Sequence, residues 1–287
     1  MVTVGTVREV WRYPVKSMIG ESLRAASVGA LGIAGDRGWA LRDERAGEIR
    51  GAKKLPDLMR CHARYRSEPS DAGVPAVDIV LPDGTRTASD AADVADRLSA
   101  VLGRPVTLWP RRPADDLGHY RRGAPDNPDF EQELRSIFGR EPDEPLPDLT
   151  NIPPEIFEYT SPRGTYFDVF PMHVLTTASL SAAAGPGPAE RFDRRRFRPN
   201  VLVETAPGLA GYAEQAWRGK RIRIGAVELH VEIPTARCVM TTLPQDGLPK
   251  DPSVLRTIVR EAGQCLGIYA TVITPGRVAV GDRVELR

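Results

Sequence analysis

The sequence predicts a mainly β protein with a few helices, an α+β chain built on a β-barrel and a smaller β-rich N-terminal region, and three observations carry that expectation. Apolar residues alternate with polar ones in many short segments, Gly- and Pro-containing turns separate those segments at close intervals, and few stretches show a helical apolar stripe. Short strands at this spacing point to a barrel and away from a doubly wound sheet. No internal repeat of 20–50 residues is visible.

Taken in order, Val10 and Arg12, then Leu23, Ala25 and Ser27, follow period-two spacing. Trp39-Ala40-Leu41 leads through Arg45-Ala46-Gly47 to a return strand at Glu48-Ile49, and Val77, Ile79 and Leu81 run into Pro82-Asp83-Gly84 before Thr85 and Thr87 bring the chain back. Ser89 is placed to cap a helix whose Val94, Leu98, Val101 and Leu102 form one apolar stripe ending at Gly103. Residues 111–164 are polar, acidic and rich in proline, which reads as a long connection carrying one short helix near Phe130–Phe138. From Tyr166 the strand pattern returns: Val201 and Val203, then Ile222 and Ile224, then Val227, Leu229, Val231 and Ile233, with Gly225-Ala226 as a hairpin turn. Leu255, Ile258, Val259 and Ala262 predict a helix, and Val278, Val280, Val284 and Leu286 predict a closing hairpin around Gly281-Asp282. The expected organisation is therefore residues 1–110 as the β-rich N-terminal region, 111–164 as insertion or connection, and 165–287 as the barrel.

Composition excludes several classes of function. The 287 residues suffice to bury a sizeable core, and 41% hydrophobic with 27% charged residues is ordinary for a globular protein. With 39 basic against 38 acidic side chains, the chain lacks the basic excess of a dedicated nucleic-acid binder. No apolar run approaches the roughly 20 residues that span a bilayer, and the N-terminus carries no secretory signal pattern, so no membrane partner and a cytoplasmic location are expected. Cys61, Cys238 and Cys265 are too few for a disulfide framework and stand in no CxxC spacing. A structural zinc or iron–sulfur site is not expected.

Five segments carry candidate chemistry. Cys238 follows Arg237 just beyond a strand that Pro234 is expected to terminate, and a guanidinium beside a thiol favours the thiolate, the form that binds soft metals. A cysteine among apolar neighbours is equally readable as a small core residue. Arg191, Arg194, Arg195, Arg196 and Arg198 crowd into eight residues, either as a solvated face or as an anion site; Pro199-Asn200 and the strand after them distinguish Arg198 from the others. At Thr176-Thr177-Ala178-Ser179 a strand gives way to a helix start, which is a plain cap or a phosphate-facing turn. Tyr13-Pro14-Val15-Lys16-Ser17 ends one strand and Asp36-Arg37-Gly38-Trp39 begins another, either as ordinary turns or as donors to a site. His62, His119, His173 and His230 are dispersed and read as structural.

Together and in this order, Tyr13–Ser17, Asp36–Trp39, Arg198-Pro199-Asn200, Arg237-Cys238 with Thr241-Thr242, and Pro275-Gly276 leading to Val280-Gly281-Asp282 resemble the MOSC domain family, and within it bacterial relatives of the amidoxime-reducing components. The resemblance covers nearly the whole chain outside 111–164. It implies a MOSC barrel with a β-rich N-terminal region, and a molybdenum–molybdopterin cofactor between them. It implies Cys238 as metal ligand and catalytic residue, and Lys16, Ser17, Arg37, Thr176, Thr177, Ser179, Arg198, Asn200, Arg237 and Tyr269 as cofactor-binding residues. Thr177 departs from an acidic residue in the best-known relatives, and Thr235-Ala236 from a Cys-Ser pair, so substrate contacts do not carry over.

The activity so implied is reduction of N-hydroxylated or other N-oxygenated small molecules by oxygen-atom abstraction at molybdenum. The sequence has no dinucleotide fingerprint and too few cysteines for a ferredoxin domain, so electrons are expected from a separate flavoprotein, ferredoxin or heme protein. Two alternatives remain: a cofactor carrier or sulfur-transfer module that uses Cys238 without turnover, and a cofactor-free binding protein that kept the barrel. For the sulfurase variant, 287 residues leave no room for a pyridoxal-phosphate portion.

Overall fold

Residues 1–70 and 73–287 are described by a computed structural model. Its centre is a closed barrel in which Val2–Arg12 pairs with Val201–Thr205, and the sheet continues through Met172–Thr176, Cys265–Thr274, Val227–Ala236, Arg221–Ile224 and Arg283–Leu286 back to Val2–Arg12. Every pairing is antiparallel except Met172–Thr176 with Val201–Thr205. The barrel thus draws its first strand from the N-terminus and the rest from beyond residue 170. Inward apolar faces fill it: Val4, Val7 and Val10 come from the first strand, whose ladders shift register at Thr3/Gly5 and Val7/Glu9 and so break strict alternation, and they meet Val201, Val203, Ile222, Leu229, Val231, Ile268 and Val284 in one core. Gly5 is required by crowding, because a Cβ there would stand 2.2 Å from the Glu204 carbonyl oxygen.

The N-terminal region has its own core. Val106–Pro110, Trp39–Asp43 and Glu48–Arg50 form one sheet and His62–Tyr65, Val77–Val80 and Arg86–Ala88 another, with the Val94–Leu102 helix packing Leu98 among Leu58, Met59 and Ile79. Both hairpins read from the sequence are present, at Asp43 opposite Glu48 and at Val80 opposite Arg86, as is the Ile224–Val227 hairpin.

Three local expectations are corrected. Ser89 does not cap the Val94–Leu102 helix; its hydroxyl accepts from the Val77 amide at 3.0 Å, and the chain makes one more turn before Asp93 precedes the helix. Pro234 does not end its strand, which runs Val227–Ala236; the register with Cys265–Thr274 shifts on both sides of the proline, so its missing N–H falls where the ladder is already irregular. The last two strands are not a hairpin, because Gly276–Ala279 pairs with Ala25–Gly29 while Arg283–Leu286 closes the barrel.

The inserted stretch holds the expected helix at Phe130–Phe138, capped by Asp129 and closed by Gly139, together with two single-turn helices, Leu117–Tyr120 and Glu155–Glu158. It is stitched to both neighbours. Asp126 pairs with Arg50 at 2.6 Å and Glu133 with Lys54 at 2.5 Å on the N-terminal side, while Glu144 pairs with Arg256 on the barrel side. Tyr120 and Tyr159 bury their rings against Ala40, Ile49 and Tyr166.

Candidate functional site

Tyr13–Ser17 leaves the first barrel strand and lies alongside Asp36–Trp39. Arg37 N donates to the Tyr13 carbonyl at 2.7 Å, Trp39 N to Pro14 at 3.0 Å and Lys16 N to Trp39 at 2.8 Å. Asp36, 3% exposed, organises the junction: it accepts from the Tyr13 amide at 2.8 Å, from Asn200 Nδ2 at 2.9 Å and from Arg37. Asn200 in turn accepts from the His173 amide at 3.0 Å. One buried carboxylate therefore joins both turns to the barrel.

Ser17, Arg37 and Arg198 all adopt left-handed backbone conformations, with φ of 70°, 48° and 55°. Such conformations cost of order 1–3 kcal/mol each in residues other than glycine and persist where surrounding contacts over-determine them. The contacts are visible: Ser17 Oγ accepts from the Ala52 amide at 2.9 Å, and Arg198 Nη1 donates to the Met18 carbonyl at 2.7 Å. Two guanidinium groups lie over the Tyr13 ring, Arg37 at 4.6 Å and Arg198 at 4.2 Å from its centroid. All three strained residues line one open cleft, together with Lys16, Asp168, Phe170, His173, Asn200, Met240 and Tyr269.

The electrostatics of the cleft favour an anion. Burial, then the neighbouring Arg37 charge, lowers the Arg198 guanidinium to about 10, and its buried Nη2 has no hydrogen-bond partner. An unpaired buried charge of this kind is costly until a charge-assisted acceptor arrives. Lys16 is differently disposed: its ammonium reaches Asp168 Oδ1 at 2.8 Å and the carbonyls of Tyr166 and Phe167 at 2.8 and 3.3 Å, which uses all three donors. Burial pushes Asp168 up, but Lys16 and Lys53 outweigh it and hold the carboxyl well below the usual range. Tyr269 is pushed up to about 12 by burial and then by Asp168, so its hydroxyl keeps its proton.

The residues singled out from the sequence fall into three groups. Lys16, Ser17, Arg37, Arg198, Asn200 and Tyr269 come together in the cleft wall. Arg237 is a brace beneath it, donating to Leu266 O at 2.8 Å, to Phe197 O at 3.2 Å and to His173 Nε2 at 2.6 Å. Thr176, Thr177 and Ser179 lie apart: Thr176 Oγ1 caps the Thr177–Ala184 helix, and Thr176 and Ser179 both donate to the fully buried Glu214, while Thr177 meets Thr205. Glu214 thus already fills that helix start with an internal carboxylate.

Cys238 is half-buried at the end of the long Val227–Ala236 strand, and its carbonyl accepts from Thr241 N and Oγ1. It lies in electrostatic range of Lys53, Arg140, Arg237 and Tyr269. The other cysteines are poorly suited to act as thiolates. Burial pushes Cys61 up to about 12 and raises Cys265, in the latter case against the pull of Arg237 and Arg140.

Sequence reading missed Asp168, Lys53, Phe170 and Met240 as part of this neighbourhood, and read His173 only as structural. Lys16 and Asp168 are 152 positions apart, and neither has a local pattern naming the other. A second hollow lies on the N-terminal region beside Arg45, Lys54, Asp57 and Arg104, but Lys54 is paired with Asp126 and Glu133, and Arg104 with Asp43. Among the described residues no group of three or more His, Cys, Asp or Glu side chains could hold a metal by itself, and no helix is long and apolar enough to cross a membrane.

Two domain families match in chain order: the MOSC N-terminal beta barrel domain over residues 4–105 and the MOSC domain over residues 162–285. The chain is 26% identical to mitochondrial amidoxime reducing component 2 of Bos taurus over 301 residues, covering 98% of this chain and 83% of the relative. It is 26% identical to mitochondrial amidoxime-reducing component 1 of Homo sapiens over 312 residues, covering 99% and 83%. Over 84 residues it is 38% identical to molybdenum cofactor sulfurase 3 of Aedes aegypti, which is 29% of this chain and 10% of that protein. With the two domains matched over the two parts of the fold, and relatives aligned over nearly its full length, the chain belongs to the MOSC domain family.

Proposed function

We propose that this chain binds a molybdenum–molybdopterin cofactor in the cleft, with Cys238 as the protein's thiolate ligand, and reduces N-oxygenated small molecules in the cytoplasm. The observation that carries the reading is the buried Arg198 guanidinium, with Nη2 unpartnered, in a cleft walled by three residues held in left-handed conformations. These residues fit an anionic, polar group. Arg198 and Arg37 supply planar donors suited to phosphate, the Ser17 hydroxyl adds a polar contact, the Asn200 amide is spent on holding His173, Asp36 and Trp11 in place, and Cys238 is the cysteine whose setting suits a soft metal.

When bound, the cofactor supplies oxygen-atom abstraction from an N–O group at reduced molybdenum. The chain's own residues do the positioning. Asp36 and Asn200 fix the two arginine-bearing turns relative to each other, so the anion site is formed before the ligand arrives. Asp168 stays ionised against Lys16 and Lys53 at the cleft wall, while Tyr269 retains a proton that it can donate to a polar atom in the cleft. His173, neutral beneath the site, accepts from Arg237 through Nε2.

Electrons belong to a separate donor in this reading, a flavoprotein, ferredoxin or heme protein, because three cysteines cannot hold a ferredoxin-type cluster and the dinucleotide fingerprint is missing from the sequence. The 84-residue likeness to a cofactor sulfurase favours a second reading, in which Cys238 carries cofactor or sulfur without turnover. Molybdenum content and turnover of protein made in a cofactor-competent host separate the readings. Stoichiometric metal with N-hydroxylated substrate reduced by a viologen donor, and not by NADH alone, is the expected result. Metal without turnover under any donor favours the carrier, and absence of metal overturns both.

A further inference from the structure

Two consecutive residues of the inserted stretch bracket Cys238. Gly139 ends the Phe130–Phe138 helix with φ 60°, and it lies so near Val239 that a Cβ there would stand 3.3 Å from Val239 Cα and 2.9 Å from Leu255 Cδ2. Arg140, 6% exposed, donates from Nη2 to the Arg237 carbonyl at 3.0 Å and from Nε to Gln264 Oε1 at 3.0 Å. Gln264 is the remaining left-handed residue other than glycine among the described residues, and its carbonyl accepts from Arg237 N at 2.9 Å. The insertion therefore bonds the residue before the cysteine and packs closely against the residue after it.

The grip is anchored from outside. Arg256 donates to the Gly139 carbonyl and pairs with Glu144, and Lys54 holds Glu133 of the same helix from the N-terminal region. Arg140 suits its place because one planar fork reaches two acceptors on different segments, which a lysine ammonium does less well. A metal ligand is useful only when its support holds it to within about 0.5 Å.

We propose that Gly139 and Arg140 form a clamp, supplied by the inserted stretch, that fixes the turn carrying Cys238, with Arg140 as a positioning residue for its sulfur. The proposal rests on the reading of Cys238 as the metal ligand and adds a role for a segment outside the barrel. Supporting groups around a metal ligand commonly set its orientation without touching the metal.

Amide hydrogen exchange on the full chain made without cofactor tests the clamp. Arg140→Ala should speed exchange of the 237–243 peptide about tenfold, the loss expected of a buried charge-assisted bond, while the 77–88 hairpin stays within about twofold of wild type. Gln264→Leu should act in the same direction, and Gln264→Glu, which keeps an acceptor, should restore wild-type exchange. Unchanged exchange in both Arg140→Ala and Gln264→Leu, or equal acceleration in the 77–88 hairpin, overturns the clamp. In cofactor-loaded protein, Arg140→Ala should alter the electron paramagnetic resonance spectrum of the metal, and Arg163→Ala, at an exposed pair with Glu155, should not. An unaltered spectrum despite faster exchange overturns the positioning role. Alkylation of Cys238 in loaded against cofactor-free wild type checks the ligand reading separately: no protection on loading defeats that reading, whatever the exchange shows.

Discussion

Asn200 donates from Nδ2 to Asp36 Oδ2 at 2.9 Å, a bond that spans 164 positions and ties the Arg198-Pro199-Asn200 segment, just ahead of the Val201–Thr205 strand, to the turn carrying Arg37. Because Asp36 is buried and also holds Arg37 and the Tyr13 amide, removing its carboxylate strands a half-buried guanidinium and two buried donors at once. Breaking a buried pair by deleting one partner costs about 3–5 kcal/mol. Asp36→Ala is therefore expected to lower the urea-unfolding free energy by that order, and a loss under about 1 kcal/mol would show that the junction relaxes freely.

Cys238→Ser is expected to abolish molybdenum-dependent turnover while the circular dichroism of the fold is retained, since a hydroxyl is a poor substitute for a soft thiolate ligand. Cys265→Ser should keep its activity, because burial holds the Cys265 thiol protonated, and Cys61→Ser likewise, with its thiol pushed up to about 12 in the N-terminal core. Wild-type turnover in Cys238→Ser would remove the ligand assignment.

Arg198→Ala is expected to weaken cofactor retention far more than Arg194→Ala. Arg194 is engaged away from the cleft, paired with Glu9 and stacked 3.8 Å from the Trp11 ring centroid; both arginines keep one buried nitrogen without a hydrogen-bond partner, but of the two Arg198 alone lines the cleft. Losing one charge-assisted bond costs roughly 1.5–3 kcal/mol, which is about a tenfold to hundredfold loss of affinity. Molybdenum retained after gel filtration measures it, and equal losses from the two substitutions would mean that the arginine cluster acts as a diffuse basic patch.

What the sequence made legible follows from which interactions are local. Alternation from Val227 to Ile233 and the Gly225-Ala226 turn are properties of a few neighbouring residues, as is the short helix at Phe130–Phe138, and all were readable. Arg198 was separable from Arg194 and Arg195 because a proline and a strand follow it. Barrel closure by Val2–Arg12 was not, because pairing partners some 200 residues away leave no local mark. Neither was the Lys16–Asp168 pair, nor Glu214 beneath Thr176 and Ser179, which makes that helix start look like an open anion site until the carboxylate is placed.

Acid should destabilise the fold through His173 before most carboxylates titrate. The ring is 4% exposed, its Nδ1 lies 3.3 Å from the Arg198 carbonyl, and Nε2 accepts from Arg237 at 2.6 Å. Burial, then the Arg237 charge, holds its pKa well below the ordinary value, so the folded ring stays neutral while the unfolded chain takes up a proton near pH 6.5. The unfolded state then binds more protons than the folded one, and stability present above about pH 6.5 is lost as the pH falls, at about 1.4 kcal/mol per unit. Between about pH 6.5 and 5 the loss from this group is about 2 kcal/mol. His173→Gln has no ring to titrate and keeps a carbonyl that can accept from Arg237. Urea unfolding of both proteins at about pH 7, 6 and 5 should give a slope shallower by that amount in the variant. His119, also lowered by burial, is common to both and cancels in the difference. Equal slopes would mean that the His173 ring takes up its proton in the folded protein, and with it the acceptor role at Arg237 would fall.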